Sequence, residues 1–327
     1  MIKYIVRRLL LMIPVVLAVA VIIFTIMYFC PGDPAEIILG TGAKEADIAA
    51  LRETMGLNEP FLIQLGNFMY QTFIKFDLGE SYMTGKSVWS EITARFPVTF
   101  ALSFSAMLVE IFVGIPLGVT AATHQNRMAD RLCMLFALIG ISIPSFWLAM
   151  ELMLLFGLRL GWLPVYGIST WKGWILPVIC VCLGSVATMA RQSRSSMLEV
   201  IRADYIDTAR AKGLGERTIL YKYALSNGLI PIIQTLGNGF ASSLGGAIVI
   251  ENVFSIPGMG SYMTSSISSR DYAAIRGSVI VLSITFSLIM LLVDLAFAFI
   301  DPRIKAQYEG SGKKIFHFGK GVKADAS

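Results

Sequence analysis

Six long apolar stretches recur along the chain, at residues 9–29, 99–122, 132–158, 174–190, 228–250 and 277–300, and they constrain the fold more than any other feature. An α-helix needs about 20 largely apolar residues to cross a bilayer. In hydrocarbon each backbone N–H and C=O must be satisfied within its own segment or in a closed barrel, so runs of this length read as helices. Composition agrees. The chain is 55% hydrophobic and 15% charged, with mean hydropathy +0.69, whereas soluble domains carry about 25% charged residues. The fold class expected is an all-α membrane protein with about six transmembrane helices.

The first run follows Arg7 and Arg8. It exceeds the roughly 7–15 apolar residues of a signal peptide, and no small-x-small cleavage site follows it, so it reads as an uncleaved first span. With the N-terminus inside, 18 of the 27 Lys and Arg residues fall on one side of the bilayer, among them Arg127, Arg131, Arg191, Arg194, Arg202, Arg210, Lys212, Arg217 and Lys222. The positive-inside bias therefore places both termini and the basic 191–227 loop in the cytoplasm. The net charge of +5 belongs to these loops and to the tail, so it gives no sign of a nucleic-acid partner.

The organisation expected is a cytoplasmic end and first span at 1–29, an external cap at 30–98, a core of five spans at 99–300 containing the 191–227 loop, and a polar cytoplasmic tail at 301–327. Within the cap, 44–55 and 61–76 have helical spacing of apolar residues, with Gly56 and Pro60 punctuating between them. The fourth span is short and extends to about residue 200 if its helix runs on into the cytoplasm.

Small residues recur at helical spacing. Gly114 and Gly118 form a GxxxG, and Gly237, Ala241 and Gly245 align on one face of the fifth span. Such faces let helix backbones approach closely, either within this chain or against a partner subunit. Three acids fall inside spans: Glu110, Glu151 and Asp294. Intramembrane carboxyls are costly, and they mark either a translocation path or a structural pair. Asp294 lies nearer the cytoplasmic end of its span, where pairing with an arginine is favoured.

Nothing resembles a catalytic or metal centre. The two histidines, His124 and His317, stand apart, and Cys30, Cys133, Cys180 and Cys182 lack zinc or redox spacing. They read as small hydrophobes. The tail sequence Gly310-Ser311-Gly312-Lys313-Lys314 falls short of a phosphate loop, which needs glycine where Gln307 stands and Ser or Thr where Lys314 stands. ATP hydrolysis is not expected of this chain.

The basic loop contains a short helix. Asp204 is a plausible N-cap with Asp207 three residues on, no breaker intervenes from Tyr205 to Lys212, and Gly213 suits a C′ position at positive φ. A helix of about nine residues, some 14 Å long, is marginal alone in water. A short charged helix outside the bilayer suggests docking to another protein, the alternative being an amphipathic loop lying on anionic lipid.

Motifs in order along nearly the whole chain carry a family resemblance: PGDPA (31–35), MGLNEPFLIQ (55–64), FDLGESY (76–82), RFPVTF (95–100), RQSRSSMLEV (191–200), DYIDTARAKGL (204–214), NGLIPII (227–233), ENVFSIPGMGSY (251–262), RDYAAIRG (270–277) and LVDLAFAFIDPRI (292–304). The chain resembles the permease subunits of ATP-binding-cassette importers of the dipeptide, oligopeptide and nickel branch. The family's cytoplasmic signature, Glu-Ala-Ala, three residues, Gly, falls on Asp207-Thr208-Ala209 and Gly213, matching at Ala209 and Gly213. The resemblance implies that Asp204, Tyr205, Asp207, Thr208, Ala209, Arg210, Lys212 and Gly213 form a coupling helix seated in an ATPase groove, with Ala209 on the groove face. It also implies a second homologous permease, two ATPase subunits that carry the ATP and magnesium, an extracytoplasmic substrate-binding protein and a place in a bacterial cytoplasmic membrane. Short peptides are the substrate it favours, with a nickel chelate or glutathione as alternatives. From another class, a proton-coupled secondary transporter would use Glu110 or Glu151, but no internal repeat at the level of motifs supports it.

Overall fold

The computed structural model describes residues 2–40 and 42–300. The tail 301–327, with the expectations attached to it, lies outside the described residues. The described chain is helical almost throughout. Helix α1 spans Ile2–Phe29 and is followed by three short helices, α2 Pro34–Leu39, α3 Glu45–Thr54 and α4 Phe61–Phe73. Helix α5, Val88–Val109, runs through a π-helical stretch, Glu110–Gly114, into α6, Ile115–Thr123. Helices α7, Met128–Ser142, and α8, Ser145–Leu152, are followed by the long α9, Lys172–Ile201. Helix α10, Asp204–Ala211, and a single turn, α11 at Glu216–Thr218, lead by another π-helical stretch into α12, Leu225–Val253. Helices α13, Met259–Ser268, and α14, Tyr272–Ile300, complete the order.

Among the described residues, four helical segments are long and apolar enough to cross a membrane: Ile5–Phe29, Val88–Thr123, Lys172–Ile201 and Tyr272–Ala296. The third expected span, 132–158, is two helices meeting at 97°. Pro144 is the cause, because a residue before proline is driven out of the helical region, and Ile143 is extended at φ −80°, ψ 121°. The fifth expected span is occupied by α12, whose 29 residues reach about 43 Å. It is less apolar than the others because Gln234, Thr235, Asn238, Ser242 and Ser243 interrupt it. The fourth span runs on unbroken to Ile201.

The layering follows from these patterns. Helices α1 and α14 pair at the edge, and each buries 17% of its most apolar window. Helix α9 buries 44% and touches α5, α6, α7, α8 and α12, so it is the central post. One core cluster joins Leu102, Leu176, Cys180, Ala247, Ile250 and Phe254. A second, at the end carrying α10, joins Val119, Ala122, Met197, Ile206, Ala209, Ile219 and Ala224.

The segment between the fifth and sixth apolar stretches, 251–276, contains α13. Thr99 Oγ1 donates to Glu251 Oε1 at 2.5 Å, and Ser261 N donates to Glu251 Oε2 at 3.0 Å. Met259 N donates in turn to Thr99 Oγ1 at 2.7 Å. A buried carboxylate accepting several hydrogen bonds is satisfied in place, and here it pins α13 across α5 and α12.

Candidate functional site

Two regions combine chemistry-bearing side chains with an unusual setting. The first is α10. Its N-cap is Ala203, and Asp204 is the first helical residue with no side-chain capping bond, which corrects the expected cap by one position. Asp204 and Asp207 stand instead in the first turn, where negative charge complements the helix dipole. At the other end Gly213 has φ +75°. Gly213 N donates to Arg210 O at 2.9 Å and Leu214 N to Ala209 O at 3.3 Å. That pair of bonds is a Schellman closure, which needs the left-handed residue glycine supplies.

Burial divides the helix. Ile206 and Ala209 are buried against Val119, Ala122, Met197, Ile219 and Ala224 of the same chain. The expectation that Ala209 faces an ATPase groove is therefore corrected: its methyl is the foot by which α10 rests on the bundle. Tyr205, Asp207, Thr208, Arg210 and Lys212 are exposed. Arg210 pairs with Glu216 at 2.9 Å and with Asp207 at 3.1 Å. The hydrogen bond to Glu216 raises the guanidinium further above its ordinary range. Beneath α10, Ile219 and Ala224 belong to the helical run that continues into α12. Packed side chains thus connect α10 to the start of α12.

The second region is a groove of about 470 Å³ between α9 and α12, lined by Glu110, Ser185, Thr188, Thr235, Asn238, Ser243 and their neighbours. Glu110 is 2% exposed. It opens the π-helical stretch of the α5–α6 helix, a local widening that is frequent at functional sites. Gly239 sits directly against it, since a Cβ there would stand 3.2 Å from both carboxylate oxygens. On α12, Gln234, Asn238, Ser242 and Gly245 are all exposed, and their spacing puts them on one face.

The other intramembrane acids lie elsewhere. Asp294 of α14 pairs with Arg8 of α1 at 3.0 Å. Glu151 of α8 is exposed on the outside of the bundle. The small residues separate by role. A Cβ at Gly114 would stand 2.9 Å from Met189 Cβ, and one at Gly118 would stand 2.5 Å from Ser193 Cβ, so both let α5–α6 seat on α9. A Cβ at Gly237 would overlap Val293 of α14, and Ala241 is buried nearby. Gly245 faces open space.

Sequence reasoning missed Glu251, Thr99 and the groove hydroxyls. Glu251 adjoins the end of an apolar run and reads there as a loop acid. Its fold signal is the pair Gly258 and Gly260, where any Cβ would collide with Glu251 or Ile248.

A family model described as binding-protein-dependent transport system inner membrane component matches residues 114–306. The model for the N-terminal part of such membrane components matches residues 1–103. A dipeptide transport system permease protein of Alkalihalophilus pseudofirmus is 41% identical over 333 residues, covering 93% of this chain and all of that protein. A glutathione transport system permease protein of Salmonella typhimurium is 39% identical over 305 residues, covering 93% of this chain and 99% of that one. An inward-facing structure of the MetNI methionine ABC transporter has a similar fold, with TM-score 0.54 and 17% identity over 64% of this chain and 96% of that one.

Proposed function

This chain belongs to the family of binding-protein-dependent transport system inner membrane components, and from that premise we propose that it is the permease subunit of an ATP-driven importer of short peptides. The observation that carries the mechanism is the polar face of α12. Gln234, Asn238 and Ser242 lie exposed on α12, the helix that occupies the fifth expected span, where lipid would offer no hydrogen bonds. A second permease closing over that face would enclose the groove as a path for a polar solute. The open position at Gly245 supports the same surface.

The drive comes from outside the chain. Helix α10 is the coupling element: Tyr205, Thr208 and Lys212 meet the ATPase, while Ile206 and Ala209 hold the helix to the bundle. ATP and magnesium reside on two ATPase subunits. Their closure would move α10, and through Ile219 and Ala224 would tilt α12 and alternate access to the groove. Such a motion requires only different contacts in two states. The basic loops place the termini and α10 in the cytoplasm, and the binding protein delivers substrate at the opposite end of a bacterial cytoplasmic membrane.

Short peptides are the substrate class because the two relatives are named for a dipeptide and for glutathione, itself a tripeptide. The test is uptake of labelled dipeptide by a strain lacking this chain, with glutathione and nickel as competitors. Loss of dipeptide uptake, restored by the chain, is the expected result. Unchanged dipeptide uptake with loss of nickel uptake would overturn the substrate class.

A further inference from the structure

We propose that Glu110 is the recognition site for the protonated α-amino group of the peptide as it crosses the membrane. This inference rests on the importer reading and adds a ligand group and a residue to it. The Glu110 residue is 2% exposed, and it lines the groove. Among the described residues no hydrogen bond or ion pair reaches it. It lies about 20 Å along the helix from the end at Thr123 by the helical rise. An unpartnered buried carboxyl is costly, and intramembrane acids in such settings face a partner or a path.

Four hydroxyls of the lining bear on the sign of the ligand. Ser185 Oγ donates to Cys182 O at 3.0 Å, Thr188 Oγ1 to Gly184 O at 2.9 Å, Thr235 Oγ1 to Pro231 O at 3.0 Å and Ser243 Oγ to Phe240 O at 2.7 Å. Each hydroxyl proton is thus committed to its own helix, and what remains toward the groove are oxygen lone pairs. Four such acceptors share the groove with the Glu110 carboxylate, beside the amide of Asn238 and the hydroxyl of Ser242, and the negative charge among them suits a group with several donors and a positive charge. An ammonium has three donors and no acceptor. The carboxyl end of a peptide has the opposite requirement and finds no cation among the groove residues. A bare metal ion is disfavoured too, because no group of three or more metal-ligating side chains occurs among the described residues. Gly239 keeps the approach to the carboxylate clear, as a side chain there would cover both oxygens.

The test uses the assembled importer in nanodiscs without its binding protein, so that permease binding is read alone. Saturation-transfer NMR reports contact with Ala-Ala, with its methyl ester and with N-acetyl-Ala-Ala. Ala-Ala and the ester should bind alike, and N-acetylation should weaken binding at least tenfold. Glu110→Gln should cost Ala-Ala a similar factor and leave the N-acetyl peptide unchanged, while Glu110→Asp should recover part of the loss. Thermal stability of each variant complex separates this from misfolding, since a general loss of structure would affect all three ligands. Equal binding of Ala-Ala to wild type and Glu110→Gln would overturn the proposal, as would equal loss for all three ligands or N-acetyl-Ala-Ala binding as well as Ala-Ala. Import of Ala-Ala by the wild-type complex, measured in parallel with binding protein present, tests the importer reading separately.

Discussion

Arg194 of α9 grips Asp130 of α7 through two hydrogen bonds, Nε to Oδ1 at 2.6 Å and NH2 to Oδ2 at 2.8 Å. Asn126 N adds a third bond to Oδ2 at 2.9 Å. The Asp130 side chain is 5% exposed and that of Arg194 24%. This clamp holds the turn between α6 and α7 against the central post, on the same end of the bundle as α10. Asp130→Asn leaves a largely buried cation with a neutral partner and should destabilise the complex by about 3 kcal/mol, the scale for breaking a buried pair. Asp130→Leu with Arg194→Met should recover most of that loss, because no charge is then stranded. Thermal unfolding of the purified complex checks both.

The two faces of α10 should respond differently to one added charge. Ala209→Glu places an unpaired charge in the cluster with Ile206 and Met197 and should cost about 3 kcal/mol in folding stability. Thr208→Glu, on the exposed face, should leave stability unchanged while reducing ATPase capture by pull-down. Normal capture by Thr208→Glu and by Tyr205→Ala would place the docking surface elsewhere.

Gly213→Val forces a β-branched residue to φ +75°, at a cost of about 1–3 kcal/mol. A Cβ there meets nothing within 4 Å, so the strain falls on the helix closure and not on packing. The variant should reach the membrane at normal levels and lose most of its peptide-stimulated ATP hydrolysis, read as phosphate release in the reconstituted complex.

Gly118 and Gly245 should separate packing within the chain from packing between chains. Gly118→Val drives a side chain into Ser193 and the α9 backbone and should lower the yield of folded protein. Gly245→Leu meets open space in this chain. It should fold normally and fail to co-purify with the second permease. Co-purification at wild-type level would remove this face from the subunit interface.

The membrane helices were legible because long apolar runs leave few alternatives. The bend at Ile143–Pro144 was hidden inside one such run, since hydropathy averages over the proline that breaks it. Helix α12 was found from its apolar residues, but its groove-lining hydroxyls read as noise, because each stays polar only on the face that avoids lipid. Gly213 signalled its positive φ directly. Asp204 did not cap, because Ala203 already had the extended backbone an N-cap needs. The face of Ala209 was misread because alanine suits a groove and a core equally, and only the position of Met197 and Ile219 decides between them. Glu110 stood out as a charge in a span; its lack of a partner is visible only in three dimensions.

As half of a peptide path driven by ATP, this chain should be required for transport in a fully defined system. The most direct measurement is uptake of labelled Ala-Ala by proteoliposomes holding this chain, the second permease and the ATPases, with ATP inside and loaded binding protein outside. Accumulation should need ATP, cease when this chain is omitted and survive collapse of the proton gradient. Uptake driven by a proton gradient without ATP, or ATP-driven uptake that persists without this chain, would rule out an ATP-driven path through this chain.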